Sequence, residues 1–250
     1  MLLAVAMLLS GCDAVRSLVS GENSTEVPAE SAEFEPAAPP DPAVVHLPAV
    51  VEATHSVVRV RSTAHSCQKI FEGSGVVMAP NRVMSNAHVV AGGDSFTIAV
   101  GDSEYDAGVV FFDPKLDIAV LDVPGLAVAP LHFAEAQVPK GTDAVVMGYP
   151  GGGEFLAAPA RIRDVIQLQG PDIYHSTTVE REVYVIDGEV GQGDSGGPLV
   201  DRDGRVLGIN FGAAADDPGT GFVLTAKHVY PSLVIGAGER EPVPTGACAG

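Results

Sequence analysis

Residues 193–198 read Gly193, Asp194, Ser195, Gly196, Gly197, Pro198, a glycine-flanked serine set between the apolar runs around Val185 and Leu199. A serine in such company can present its hydroxyl on a tight loop, and the glycines let backbone N–H groups approach a developing oxyanion. A plain Gly-rich turn would use the same residue types, yet the six-residue string is far more specific than a bare Gly-x-Ser-x-Gly. Ser195 is therefore the candidate nucleophile, and the search moves outward to its partners.

A serine hydroxyl needs a base within hydrogen-bond reach. The chain has seven histidines. His46 falls in a polar Pro-rich stretch, His228 in the closing segment, and His55, His65, His132 and His175 lack a distinctive setting. His88 stands in Ser85, Asn86, Ala87, His88, Val89, Val90, just after a strand, where a short turn at residues 87–91 can fix an imidazole. The third member should be a carboxylate that becomes buried, because it sets the tautomer of the base and stabilises the imidazolium. Asp117 opens the apolar run Asp117, Ile118, Ala119, Val120, Leu121, which can carry it inward. Asp113 precedes Pro114 and suits a solvated turn, as do Asp102 and Asp106.

Around these residues, from position 50 onward, short β-branched runs alternate with Gly, Asp, Asn and Pro: HSVVRVRS, SFTIAV, DIAVLDV, DAVVMGYP, REVYVI and GFVLT are examples. Each reads as a strand of about four to ten residues, and about a dozen such strands point to barrels or sandwiches. Helical periodicity is confined to the turn at residues 87–91 and a closing segment at 226–235, interrupted by Pro231. No fixed-period repeat is present, which argues against a propeller or solenoid.

Composition narrows the function classes. Hydrophobic residues make up 46% of the 250 and charged residues 18%, the balance of a globular body. A net charge of −18 with only 14 Lys and Arg excludes a phosphate-tracking nucleic-acid binder. No His-Glu-x-x-His string or His and carboxylate cluster is present, so neither a metal nor an organic cofactor is expected. Residues 1–12 carry an apolar run too short to span a bilayer. Leu9, Ser10, Gly11 and Cys12 resemble a lipobox that would leave Cys12 lipidated; a late start codon and the tail of a longer membrane helix are the other readings, and all three place the body outside the cytoplasm. Residues 13–48 read as a disordered acidic, Pro-rich linker, with Glu22, Glu26, Glu30, Glu33, Glu35 and Asp41 keeping it extended. With Cys12 set aside, Cys67 and Cys248 remain as a pair able to close one long loop, or as two free thiols.

The order His88, Asp117, Ser195 with the strings SNAHVV, LDIAVL and GDSGGP resembles the trypsin and chymotrypsin superfamily in its compact bacterial form. The segments CQK, EGSG, NAHVVAG, GYPGGG, ARIR, GPDIY, GFVLTA and TGAC are similar to the actinobacterial membrane-anchored proteases of the MarP type, linked to acid resistance. The resemblance spans about residues 50–249. It implies an all-β fold of two packed six-stranded barrels, the first at about 49–135 and the second at about 140–236, with a short C-terminal helix. It further implies a triad in the cleft between them, an oxyanion hole made by the N–H groups of Gly193 and Ser195, and a bridge between Cys67 and Cys248.

Departures from the family qualify what carries over. Several membrane helices precede the MarP-type protease domain, whereas here residues 1–12 offer a remnant or a lipobox. No IVGG-like activation sequence precedes the first strand, so Asp194 is not expected to wait for a new N-terminus, and no PDZ module follows residue 240. Glu189, six residues before Ser195, is placed to sit at the base of the primary specificity pocket and favour Lys or Arg; an exposed or inter-strand glutamate is the alternative. Matching strands of relatives put Asn210, Phe211, Gly212 and Gly221 on the pocket walls. The expectation is a serine endopeptidase of the cell envelope or periplasm, membrane-anchored or secreted, with a monomeric protease domain acting on protein or peptide substrates. Its competitor is a catalytically silent protease-like binding module.

Overall fold

The computed structural model describes residues 38–249. Cys12, the apolar run and most of the expected linker lie outside them. The first six strands are β1 (Val57–Ala64), β2 (Lys69–Ala79), β3 (Arg82–Ser85), β4 (Ser95–Val100), β5 (Ser103–Asp113) and β6 (Ile118–Asp122). They close into an antiparallel barrel in the order β1-β2-β3-β6-β5-β4. The next six are β7 (Asp143–Gly148), β8 (Leu156–Pro171), β9 (Thr178–Asp187), β10 (Pro198–Val200), β11 (Val206–Ala213) and β12 (Thr220–Thr225). Read from β7, this second barrel runs β7-β8-β9-β12-β11-β10 and repeats the topology of the first. The duplication is structural only, since the sequence shows no matching repeat.

Near-continuous apolar runs in the strands follow from burial on both faces. In β7, Ala144 and Val146 point into the second barrel, while Val145 and Met147 point into a layer shared by the two barrels. In β1, Val58 and Val60 fill the first barrel and Val57 joins the shared layer. Period-2 alternation thus divides one strand between two cores. The hairpin from β4 to β5 turns on Gly101 and Asp102, with Gly101 at φ +55 as a two-residue loop of this kind requires.

The body begins before residue 48, which corrects the expected end of the linker. Asp41 caps a 3-10 turn, Pro42–His46, by accepting the Ala43 N–H at 2.9 Å, and its own N–H donates to Asp143 at 3.2 Å. Val44 in that turn, and Val50 and Ala53 in α1 (Pro48–Thr54), are buried in the shared layer. A Pro-rich, acidic window concealed this short capped segment, because the buried residues are few and widely spaced. A further short helix, α2 (Ala87–Val90), follows β3.

After β12, α3 (Ala226–Gly238) is capped by Thr225, whose hydroxyl accepts the His228 N–H at 3.1 Å. Although it leaves the second barrel, α3 lies on the first: a Cβ on Gly236 would come within 2.5 Å of Val120 in β6. The chain then stays with the first barrel, where Val243 N–H donates to Val109 at 2.8 Å and Cys248 is bonded to Cys67, 181 positions away.

Candidate active site

The site is built where the two barrels meet. Buried Val89 and Val90 anchor α2, and a Cβ on Gly73 of β2 would come within 2.7 Å of Val89. On this short helix His88 stays partly exposed. Asp117, at φ +63, immediately precedes β6 in a left-handed conformation that Asp tolerates better than most residues. Asn86 Nδ2 donates to the Asp117 carbonyl at 2.8 Å and holds that turn.

Asp117 then grips His88 twice. Its Oδ2 lies 2.8 Å from His88 Nδ1, and its Oδ1 accepts the His88 backbone N–H at 2.9 Å. The carboxylate side chain is only 3% exposed and the imidazole 16%. Burial by itself pushes His88 down, but the charge of Asp117 and its hydrogen bond outweigh that and leave the imidazole above its ordinary value of 6.5; Arg181 pulls the other way. Arg181 reaches this region from β9 of the second barrel. Its guanidinium is buried, donates to the Pro171 carbonyl at 3.0 Å and lies 5.7 Å from the centre of the Phe211 ring.

The serine loop is held from several sides. Gly193 has φ +96, and a Cβ there would meet Tyr149 O at 2.4 Å and Gly151 N at 2.5 Å, so the position requires glycine. Gly151 N–H donates to the Gln192 carbonyl at 2.7 Å. Because that peptide is trans, the Gly193 N–H points the opposite way. Asp194 turns back into its own loop, where its buried carboxylate accepts the Gly191 N–H at 2.9 Å; burial pushes its pKa up. Gly196 N–H donates to the Asn210 carbonyl at 2.9 Å, and Asn210 N–H donates to the Gly197 carbonyl at 2.8 Å.

Ser195, His88 and Gly193 all border a cleft of about 820 Å³. Phe71 and Val89 of the first barrel line one side, and residues 189–193 and 211–215 of the second line the other. Ile173, His175 and Ala249 complete the rim. Among the expected pocket residues, Glu189, Phe211 and Gly212 border the cleft, with Glu189 exposed rather than sunk at a base. Asn210 and Gly221 do not. Asn210 is fully buried behind the serine loop, its Nδ2 within 3.4 Å of the Met147 and Pro198 carbonyls. Gly221 instead leaves room for Val190, whose methyl a Cβ would meet at 2.5 Å, and Val190 is what faces the cleft. Arg181 and Ser74, a buried serine of β2, are the site-shaping residues that sequence reasoning missed.

Among the described residues, no three His, Cys, Asp or Glu side chains converge as a metal site would require, and no helix is long and apolar enough to cross a membrane. The profile described as "Trypsin-like peptidase domain" matches residues 73–209, which include the whole His88, Asp117 and Ser195 arrangement. The chain belongs to the trypsin-like peptidase family. Within that family it is 54% identical over 214 residues to the "Serine protease Rv3671c" of Mycobacterium tuberculosis, covering 85% of this chain and 54% of that protein. It thus spans about half the length of that relative. A "Probable periplasmic serine endoprotease DegP-like" of Brucella suis is 31% identical over 176 residues, 66% of this chain and 33% of that protein. Among solved structures, the active form of the M. tuberculosis Rv3671c protease superposes with a TM-score of 0.85 at 52% identity, covering 89% of this chain and 98% of that one. For the form described as inactive the TM-score is 0.73 at the same 52% identity, covering 80% and 98%. The trypsin-like peptidase fold expected from the sequence, two six-stranded barrels and a C-terminal helix, is the fold observed.

Proposed function

We propose that this chain is a serine endopeptidase that cleaves proteins outside the cytoplasm through an acyl-enzyme, with Ser195 as nucleophile, His88 as general base and Asp117 as the carboxylate that orients it. The observation that carries the reading is the two-point grip of a buried Asp117 on His88, in a cleft His88 shares with Ser195 and Gly193. With Nδ1 holding its proton toward Asp117, Nε2 is left as the basic atom. Ser195 Oγ attacks the substrate carbonyl carbon while its proton passes to His88 Nε2. The oxyanion that forms is stabilised by the Gly193 and Ser195 N–H groups. Collapse breaks the C–N bond, the leaving amine takes the proton from His88, and water repeats the sequence in reverse to release the acid.

An address outside the cytoplasm is supported by the Cys67–Cys248 bond, which persists in oxidising compartments, and by the likeness to a protein described as periplasmic. Attachment to the membrane through the N-terminal apolar run or a lipidated Cys12, a monomeric protease domain and cell-envelope proteins as substrates complete the proposal. A part in acid or stress tolerance rests on the MarP-type resemblance. With His88 held above 6.5, such a part places the enzyme where the pH stays near neutral. For specificity, Glu189 is the group that would favour Lys or Arg, beside an otherwise apolar wall of Val190, Ala213, Ala214 and Pro218. Hydrolysis of casein by the parent chain, lost about a million-fold in Ser195→Ala, is the expected result. Equal hydrolysis by parent and variant would overturn the reading.

A further inference from the structure

Ser74 lies in the middle of Gly73, Ser74, Gly75 on β2, in the first barrel, and is fully buried. All of its polar groups are engaged. Its hydroxyl donates to the Gly193 carbonyl at 2.7 Å and accepts the Tyr149 N–H at 2.8 Å. Its backbone N–H donates to the Ser195 carbonyl at 2.8 Å, and its own carbonyl accepts the Ser85 hydroxyl at 2.7 Å. The second barrel approaches it through glycines: a Cβ on Gly148 would lie 2.9 Å from the Ser74 hydroxyl, and one on Gly196 would lie 2.3 Å from the Ser74 carbonyl. A side chain of one barrel is thus locked into the loop that carries the nucleophile of the other.

The consequence concerns Gly193. Having no Cβ, it can let the peptides on either side rotate at little cost, yet an oxyanion donor is useful only when its direction is fixed beforehand. Two hydrogen bonds supply that direction. The Gln192 carbonyl is tied to the Gly151 N–H, and the Gly193 carbonyl to the Ser74 hydroxyl. Ser74 makes the second tie itself and braces the first at one remove, because the same hydroxyl also holds the Tyr149 N–H at the root of the segment that bears Gly151. A serine hydroxyl has one proton to give and lone pairs to accept with, and here both capacities are spent on this junction.

We infer that Ser74 is a positioning residue for the oxyanion hole: it holds the peptide after Gly193 directly, braces through Tyr149 the segment whose Gly151 N–H holds the peptide before it, and so keeps the Gly193 N–H turned toward the reacting carbonyl. It does not border the cleft and touches no substrate. The inference rests on the peptidase reading above.

The test compares the parent with Ser74→Ala, each normalised to active sites titrated with a fluorophosphonate. The expected result is a fall in kcat of about ten- to a hundredfold, somewhat less than deleting an oxyanion donor outright. KM should stay within about twofold, and a peptide aldehyde, which needs the hole for its hemiacetal oxygen, should bind more weakly by the same factor as kcat. A merely structural serine would lower the melting temperature and the titratable fraction while leaving kcat per titrated site unchanged; that outcome overturns the inference. Should Ser74→Ala fail to fold, Ser74→Cys, which keeps the packing with a poor hydrogen-bonding group, carries the same comparison. A parent chain without hydrolysis would sink the peptidase reading itself. The inference would then be decided by a crystal structure of Ser74→Ala: a turned or mixed Gln192–Gly193 peptide supports it, and an unaltered one overturns it.

Discussion

Asp117 holds His88 at two points, the ring through Nδ1 at 2.8 Å and the main chain through its N–H at 2.9 Å. Position and tautomer are therefore set by one buried carboxylate. Asp117→Asn keeps the size of that side chain but can present an N–H to Nδ1, which forces the proton onto Nε2 and removes the base. A fall in kcat of about ten-thousand-fold is expected, the size of loss that a wrong tautomer causes in this superfamily. Steady-state kinetics beside a thermal melt would check it. Near-parental activity in a folded variant would mean that another carboxylate holds His88.

Dependence on pH follows from the direction of the His88 shift. Only neutral imidazole can accept the Ser195 proton, so kcat/KM should fall as pH drops through a midpoint on the alkaline side of 6.5. Removing the opposing cation in Arg181→Met should move that limb to higher pH, and Asp117→Asn should move it lower. Stability has the reverse sign. A raised histidine value contributes stability that is fully present below the unfolded value near 6.5 and is lost as pH rises through the folded one. Activity limbs and urea midpoints measured across the same window should thus run in opposite directions. An acidic limb midway below 6.5 in the parent would contradict the geometry.

Glu189 borders the cleft from an exposed position, where solvent and salt screen its charge. Exposed pairs of this kind are worth at most about 1 kcal/mol, so Glu189→Gln should lower kcat/KM for Lys and Arg substrates by no more than about fivefold and leave apolar ones unchanged. A peptide library read by mass spectrometry measures both. Indifference of the parent to a basic residue before the cut would remove Glu189 from the specificity pocket.

Sequence made the candidate site legible because each of its parts leaves a local mark. Gly193 must be glycine where a Cβ would strike Tyr149 and Gly151, and Asp117 must open an apolar strand to become buried. Residues that act across the barrel interface leave no such mark. Arg181 sits in an alternating polar and apolar strand and looks solvated, and its burial under Phe211 depends on a contact 30 positions away. Ser74 looks like any serine between glycines. Asn210, put on the pocket wall by resemblance to the matching strands of relatives, is instead fully buried behind the serine loop, where β11 carries a bulge between Asn210 and Gly212 that turns side chains out of simple alternation. The two barrels were legible only through the family strings, since strand periodicity leaves barrel and sandwich equally open and closure demands alternating burial, not any particular residues.

The bond between Cys67 and Cys248 ties the end of the chain to the first barrel beside α2, where a Cβ on Gly92 would lie 2.6 Å from the Cys248 sulfur. For a loop spanning 181 positions the chain-entropy contribution is about 5 kcal/mol as an upper value. Replacing both cysteines by serine should therefore cost about 2 to 5 kcal/mol, measured as a lower urea midpoint, with a slope steeper than the parent's because the uncrosslinked denatured chain exposes more surface. A loss below about 0.5 kcal/mol would show that the unfolded chain gains little freedom from the cut.

Under the proposed function Ser195 is a nucleophile activated by His88. A fluorophosphonate reacts with such a serine and not with an ordinary hydroxyl, so the direct measurement is labelling of the folded chain followed by peptide mapping. One adduct on Ser195, abolished in His88→Ala, is the expected result. A folded chain that takes no label, or takes it elsewhere, would contradict the assignment and leave a silent double barrel in its place.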